Sequence, residues 1–482
     1  MHGAPVFHGT TTTHPAPSTP YVWGIAVVAA LGGLLFGYDW VVIGGARQYF
    51  EIYFHLRSAS AVGWANSCAL IGCFAGSLVA GALADRCGRK PVLLTSAVLF
   101  AASSVLTGWA PSFAAFIVWR IAGGIAIGLS SNISPLYIAE VSPAAHRGRL
   151  VSLNQFAVVV GILLAQIMNW LIATRVPNGL SREAALASWN VQLGWRWMFT
   201  AVAVPAIIFL IASLTIPESP RWLLLRSRRA EAIEIMCRIT GTADRATTEA
   251  AAITVALQQE QSNSTTWSGL LHSRVRRILL ISVALAVLQQ WSGINILFNY
   301  AEEVYRAAGL GTSRILLDIV ITGAINLIFT LIAMAFVDRL GRRPLMLIGC
   351  CGIAVSHFLA GLAYRIGWHG TPVLVLTLCA IACYAMTLAP LTWVLIAEIF
   401  PNRLRSAGMS VAVSALWISS FALTYSFPFI DRALGSAGAF FTYGTVCATG
   451  AGFVYFCVPE TKGRTLEEIE AQTTYTSAPE LS

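Results

Sequence analysis

Apolar runs of bilayer-crossing length recur at residues 22–46, 61–84, 91–110, 113–139, 151–174 and 196–216. After a polar stretch they resume at 276–300, 316–337, 344–365, 371–397, 405–430 and 437–458. A crossing helix needs about 20 apolar residues, so the pattern predicts an all-α membrane protein with twelve transmembrane helices in two groups of six. The one long polar interior stretch, 217–275, holds helix-prone runs at Arg229–Ile239 and Thr247–Gln261 and reads as a linker with short surface helices. Residues 1–20, rich in His, Thr, Pro and Gly, read as a disordered tail. The expected division is therefore 1–20 tail, 21–216 first half, 217–275 linker, 276–458 second half and 459–482 tail.

Composition agrees with this pattern. The chain is 56% hydrophobic and 11% charged, where soluble proteins carry about 25% charged residues. Its net charge of +9 is carried by loops rather than by a nucleic-acid patch. Arg86, Arg89, Lys90, Arg147, Arg149, Arg339, Arg342, Arg343, Arg403, Arg405, Lys462, Arg464 and the linker arginines all fall on one side. The positive-inside rule then places both termini and the linker in the cytoplasm. No basic residue precedes Arg47, so a secretory signal is not expected. Arginine far outnumbers lysine (Lys90 and Lys462 only), a bias that points to a GC-rich bacterial genome and hence to the inner membrane. Most of the ten cysteines lie inside apolar spans and serve as small apolar residues. His2, His8 and His14 fit no ligand spacing, so neither a metal nor a cofactor is expected.

The halves repeat one another. Asp85-Arg86-Cys87-Gly88-Arg89-Lys90 follows the second span and Asp338-Arg339-Leu340-Gly341-Arg342-Arg343 the eighth. Glu140 with Arg147 closes the fourth span, and Glu398 with Arg405 the tenth. Pro217-Glu218-Ser219-Pro220-Arg221 opens the linker, and Pro459-Glu460-Thr461-Lys462-Gly463 ends the last span. Acids and bases sit together at equivalent corners. Asp85, Arg89, Glu140, Arg147, Glu218, Arg221, Asp338, Arg342, Glu398 and Arg405 are therefore expected to form a cytoplasmic gate. Repeated halves facing each other across a midplane cavity are a transporter design.

Polar chemistry inside the spans is concentrated in Gln289-Gln290-Trp291-Ser292-Gly293-Ile294-Asn295-Ile296-Leu297-Phe298-Asn299-Tyr300. At about 100° per residue, Gln289, Ser292, Asn295 and Asn299 share roughly a third of the helix circumference. Gln290 falls off that face unless the helix breaks at Gly293. Unpaired amides in hydrocarbon cost several kcal/mol each, so they must face protein, water or a ligand. Amides supply both donor and acceptor, and Trp291 or Tyr300 could cover an apolar sugar face, so a neutral polyhydroxylated ligand fits. Asp39 in the first span and Arg120 in the fourth are charges within the membrane, which are expensive and functional as a rule. A neighbouring Arg120 favours the ionised Asp39 and burial opposes it, so motion between them could load and release a proton. The polar segments carry no nucleotide loop, metal pattern or nucleophile constellation, and no enzyme is expected. The glycines of Gly123-Gly124-Ile125-Ala126-Ile127-Gly128 serve close helix packing.

Taken together, Pro217-Glu218-Ser219-Pro220-Arg221-Trp222, Gln289-Gln290 with Gly293-Ile294-Asn295, Asp338 with Gly341-Arg342-Arg343, and Pro459-Glu460-Thr461-Lys462-Gly463 resemble the sugar porter family of the major facilitator superfamily. The resemblance runs from about Gly32 to Glu467 and lies nearest to the bacterial xylose, glucose and galactose–proton symporters. It implies the major facilitator fold, two six-helix halves related by a pseudo-two-fold axis. It also implies that Gln155, Gln289, Gln290, Asn295, Asn326 and Trp393 contact the sugar, with Ile162, Asn299 and Trp417 completing the candidate set. Ile162 stands where the xylose symporter pattern has glutamine, which leans towards a hexose. Asn299 replaces a tyrosine of the pattern, Leu416 a Gln or Asn, and Ala389 a glycine. In the resembling symporters an aspartate at Asp39 carries the proton. The expected activity is proton-coupled monosaccharide uptake by a monomeric carrier whose partners are sugar, proton and bilayer. A facilitative uniporter and a sugar sensor on the same scaffold are the alternatives. The short stretch after Pro459 argues against a sensor, for which a long signalling tail is expected.

Overall fold

The computed structural model describes residues 19–143, 146–174, 184, 186–262, 273–309, 312–368, 370–400 and 404–460. Among them the secondary structure is helical. The first half contains α1 (Thr19–Tyr53), α2 (Ala59–Cys87), α3 (Arg89–Gly108), α4 (Phe113–Val141), α5 (Arg147–Ile172) and α6 (Asn190–Thr215), the last opening with a π-helical turn. The polar stretch forms α7 (Pro220–Leu225), α8 (Arg229–Thr240) and α9 (Ala243–Ser262), so both expected surface helices are present. The second half contains α10 (Ser273–Trp291), α11 (Ile294–Asn299), α12 (Ala301–Ala307), α13 (Thr312–Leu340), α14 (Arg342–Arg365), α15 (Thr371–Met386), α16 (Leu388–Ile399) and α17 (Arg405–Cys457).

Eleven helices among the described residues are long and apolar enough to cross a membrane. The last, Ala407–Cys457, is interrupted at Gly435, where φ is 67° and ψ 171°, so it supplies two crossings. The count of twelve follows. The seventh crossing is broken between α10 and α11, and the tenth between α15 and α16.

Contacts within the first half are set by small residues. α2 and α4 cross so closely that a Cβ on Gly124 would lie 1.9 Å from the Ala69 carbonyl oxygen. The glycines of the fourth span are thus a packing surface, as the small-residue pattern predicts. Outward-facing Leu78, Val79, Val118, Val204, Ile211 and Phe456 are exposed. A girdle of this kind belongs in lipid rather than in water. The two ends of the bundle differ, and we name them by their neighbours. The linker end carries α7–α9, and the far end carries the C-terminus of α1 together with α11 and α12.

Candidate substrate and proton site

The break at Gly293 organises the centre. Gly293 has φ of +82°, and a Cβ there would sit 2.8 Å from the Tyr443 ring, so both conformation and space select glycine. The interruption leaves the Ser292 carbonyl without a helical partner. His357 Nε2 lies 2.8 Å from that oxygen, and Cys447 Sγ also donates to it. The break also brings Gln290 into line with its neighbours. Asn295 Nδ2 donates to Gln290 Oε1, and Gln290 Nε2 donates to Gln289 Oε1 at 3.3 Å. Gln289 Nε2 donates in turn to the carbonyls of Leu388 and Ala389, beside the break in the tenth crossing. Three amides therefore form one hydrogen-bonded row on broken helices.

Other polar atoms here stay unmatched. Asn299 Oδ1 and Trp417 Nε1 are buried without hydrogen-bond partners. Phe36 packs edge-on against Trp417 with ring centroids 6.0 Å apart, and Trp40 lies 6.2 Å from Phe298. These aromatic contacts join α1 to α17 and α11, across the two halves.

The intramembrane charges meet. Arg120 Nη1 donates to Asp39 Oδ1 at 3.0 Å and to Oδ2 at 3.2 Å, with both residues buried. The Arg120 guanidinium also lies 5.3 Å from the Phe199 ring centroid, and its Nε has no partner. A buried pair this short is stable only while both members keep their charges. Protonation of Asp39 would strand the arginine.

At the linker end Arg89 grips Glu140 through Nε and Nη2, both at 2.9 Å, and reaches Asp85 at 3.1 Å. Glu218 accepts from the backbone N–H groups of Arg89, at 2.9 Å, and Ser219, at 2.7 Å. Burial pushes the Glu218 carboxyl up, and those N–H groups pull it down. The second half repeats the device. Glu460 accepts from the N–H groups of Arg342 and Arg343, while Arg342 Nη2 donates to Glu398 at 3.3 Å. A carboxylate at a helix N-terminus satisfies otherwise orphaned donors and faces the positive end of the helix dipole. This is the physical content of the repeated Pro-Glu motifs.

At the far end the charges cross between halves. Arg47 Nε donates to Glu51 and Nη1 to Glu303, each at 2.5 Å, and its guanidinium lies 4.3 Å from the Tyr300 ring centroid. Arg306 donates to Glu302 and to Gln48. Ser60 and Tyr425 share a hydrogen bond of 3.0 Å, and Arg432 donates to the Arg57 carbonyl at 2.9 Å.

A family model described as "Sugar (and other) transporter" matches residues 25–472. The chain belongs to the sugar transporter family. It is 36% identical to the D-xylose-proton symporter of Escherichia coli strain K12, covering 94% of this chain and 96% of the relative. It is 37% identical to the glucose transport protein of a Synechocystis strain, over 95% of this chain and 99% of the relative. The E. coli xylose transporter XylE in an inward-open conformation superposes with a TM-score of 0.83 at 36% identity, covering 94% and 100% of the two chains. XylE bound to 6-bromo-6-deoxy-D-glucose superposes with a TM-score of 0.78 at 37% identity, covering 94% and 99%. The fold is that of the major facilitator superfamily.

In this sugar transporter the structure brings Gln289, Gln290 and Asn295 together and joins Asp39 to Arg120. Gln155 and Trp393 are half-buried, and Ile162 and Asn326 are buried in the spans. The structure accounts for two further residues of the polar stretch, the second against expectation. Ser292 is absorbed by its own helix, its hydroxyl donating to the Gln289 carbonyl at 2.8 Å. Tyr300 is not placed to cover a ligand, because its hydroxyl donates to the Thr424 carbonyl and its ring lies under Arg47. Trp291 packs, partly buried, against the apolar cluster that contains Val62, Ile296, Tyr300 and Leu423. Among the gate residues Arg147 is exposed on the first turn of α5, and Arg221 is half-buried at the start of α7. The side chains of Asp338 and Arg405 lie outside the described residues, as do His2, His8, His14, Arg403, Lys462 and Arg464. Sequence reasoning missed Phe36, Trp40, His357 and the far-end charges. Phe36 and Trp40 flank Asp39 one helical turn apart, which was the available signal. His357 had none beyond being a lone histidine in an apolar span.

Proposed function

We propose that this protein couples monosaccharide uptake to proton entry by alternating access across a bacterial inner membrane, with both termini and the linker cytoplasmic. The observation that carries the coupling is the buried Asp39–Arg120 pair at 3.0 Å. A protonated Asp39 accompanies sugar from outside. Loss of that proton to the cytoplasm restores the pair and resets the carrier. Names of relatives support the class of cargo: two are xylose–proton and arabinose–proton symporters, and one is a glucose transport protein. The hexose lean of Ile162 therefore has to be tested against pentoses. The amide row of Gln289, Gln290 and Asn295, with Gln155, Ile162, Asn299, Asn326, Trp393 and Trp417, forms the sugar site in this reading. Unpartnered Asn299 Oδ1 and Trp417 Nε1 support it, since a hydroxyl would complete both.

The two blocks 21–216 and 276–458 are the moving bodies, with one chain as the working unit. The far end, closed by cross-half contacts, is then extracellular, and the conformation is inward-facing. The likeness to inward-open XylE supports this assignment. The linker-end clusters are the cytoplasmic gate, whose cross-half contacts form in the opposite state.

The test is reconstitution in liposomes with xylose, arabinose, glucose and galactose, recording external pH and counterflow. Sugar-dependent alkalinisation is expected in the wild type. Asp39→Asn should lose it, with concentrative uptake falling by about 100-fold or more while counterflow survives. Counterflow without a pH signal in the wild type would make the protein a uniporter and the pair structural.

A further inference from the structure

The α5 helix turns one face to the second half. Gln155, Ile162, Gln166 and Asn169 follow at steps of seven, four and three residues, which keeps them within about 60° of one another. Asn169 is engaged, donating to the Val42 carbonyl at 2.9 Å. Gln166 is not. It is 1% exposed, and neither Nε2 nor Oε1 has a hydrogen-bond partner. It lies where α5 meets α13, with Oε1 only 1.9 Å from where a Cβ on Gly323 would be. Asn326 follows Gly323 one turn later on α13.

An amide buried in this way gives up its bonds to water and gains none in return. Leucine would fill a similar volume without that cost, so packing does not explain a glutamine here. The contact it occupies joins the two halves at the side that is closed in this structure. In the alternating-access cycle proposed above, parting of α5 from α13 would free this amide about 6 Å beyond Ile162 along the helix.

We propose that Gln166 is a further ligand for the transported sugar, giving one hydroxyl both a donor and an acceptor at the extracellular end of the site. This rests on the transport reading above. A neutral amide matches a hydroxyl, which can accept from Nε2 and donate to Oε1. Closure of the far end withdraws the amide against Gly323, which weakens the grip on sugar in the inward-facing state and aids release. Gln166 is thus a specificity residue one turn beyond Ile162, the position where the chain itself offers only an apolar side chain.

The experiment is uptake and counterflow in liposomes for wild type, Gln166→Leu and Gln166→Met, using the transported sugar and its monodeoxy analogues. We expect both variants to raise the KM for the parent sugar about tenfold. One deoxy analogue should be handled equally by variant and wild type, because removing the hydroxyl and removing the amide delete the same bond. A rise in KM that is uniform across all analogues would overturn the assignment and leave Gln166 structural. An unchanged KM in both variants would overturn it as well. Absence of counterflow in the wild type with every sugar would instead overturn the transport reading on which it rests.

Discussion

The two ends of the bundle use the same residue types in opposite ways. At the linker end Arg89 binds Glu140, Asp85 and Ala84, all from its own half, and Arg342 binds Glu398 in the other half. At the far end Arg47 and Arg306 reach partners across the divide, at Glu303 and Gln48. Burial separates them too. The Arg89 and Glu140 side chains are 7% and 6% exposed, whereas each far-end pair sets a buried member against a wet one, Arg47 (10%) against Glu303 (37%) and Glu302 (5%) against Arg306 (50%). A bidentate buried pair holds a rigid body together, because breaking it leaves a bare charge in a dry site. A half-hydrated pair closes a gate without locking it, since water replaces the partner when the halves part. In the proposed cycle this difference lets the cross-half contacts of the far end part while the Arg89–Glu140 pair keeps the helices of its own half assembled.

The largest effect that would test this contrast is at Arg89. Arg89→Ala strands buried Glu140 and should cost about 3 kcal/mol, seen as a fall of several degrees in the Tm of the solubilised protein. Its effect on gating should appear separately, as greater reactivity of cysteine probes placed at the linker end. Arg47→Leu comes next. Loss of the cross-half pair should favour the far-open state by about 2 kcal/mol, roughly thirty-fold, measured by cysteine probes at the far end, with little change in Tm. A large Tm loss without a change in accessibility would make Arg47 structural and erase the distinction. Arg342→Ala should cost about 1.5 kcal/mol, half the effect of its counterpart, because its contact with Glu398 is longer, at 3.3 Å, and Glu398 is 27% exposed.

Most of the architecture was legible because hydrophobic length is imposed by the bilayer, and the two halves carry the same charged corners. The break at Gly293 was legible for a local reason: Gln290 can share a site with Asn295 only if the helix changes course between them. What stayed hidden depends on which helices meet. Arg47 has a role only because α1 lies beside α12, where it meets Glu303. His357 acquired a role only once the Ser292 carbonyl was found freed next to it. Tyr300 shows the converse. Its place in the sequence, after Asn299, invites a binding role, yet its hydroxyl is taken up by the Thr424 carbonyl. Gln166 differs from the other amides in that neither sequence nor packing accounts for it.

The smallest expected effect separates the two ends by pH. Burial pushes Glu302 up to about 7, while Arg306 and Arg47 pull it down and Glu51 and Glu303 add to the rise. In a far-open state, water returns it to an ordinary carboxylate value near 4.3. The closed far end therefore binds a proton more tightly than the open one. By linkage its advantage is fully present below the open-state value and fades as pH rises through about 7. Lowering pH from 8 to 6 should favour closure. The shift of the carboxyl sets a ceiling near tenfold, and partial hydration of the cavity of about 360 Å³ lined by Glu302, Glu303 and Asp431 reduces it to about threefold. Far-end cysteine probes should accordingly react about three times more slowly at pH 6 than at pH 8, after correction for thiolate fraction. Glu302→Gln should react at the slow rate at both pH values, since it mimics the protonated form. Linker-end probes at Cys87 should report only the reciprocal change in state. A pH response that persists in Glu302→Gln would move the sensor to another group, with Asp431 and Glu51 the next carboxylates of the same network to test.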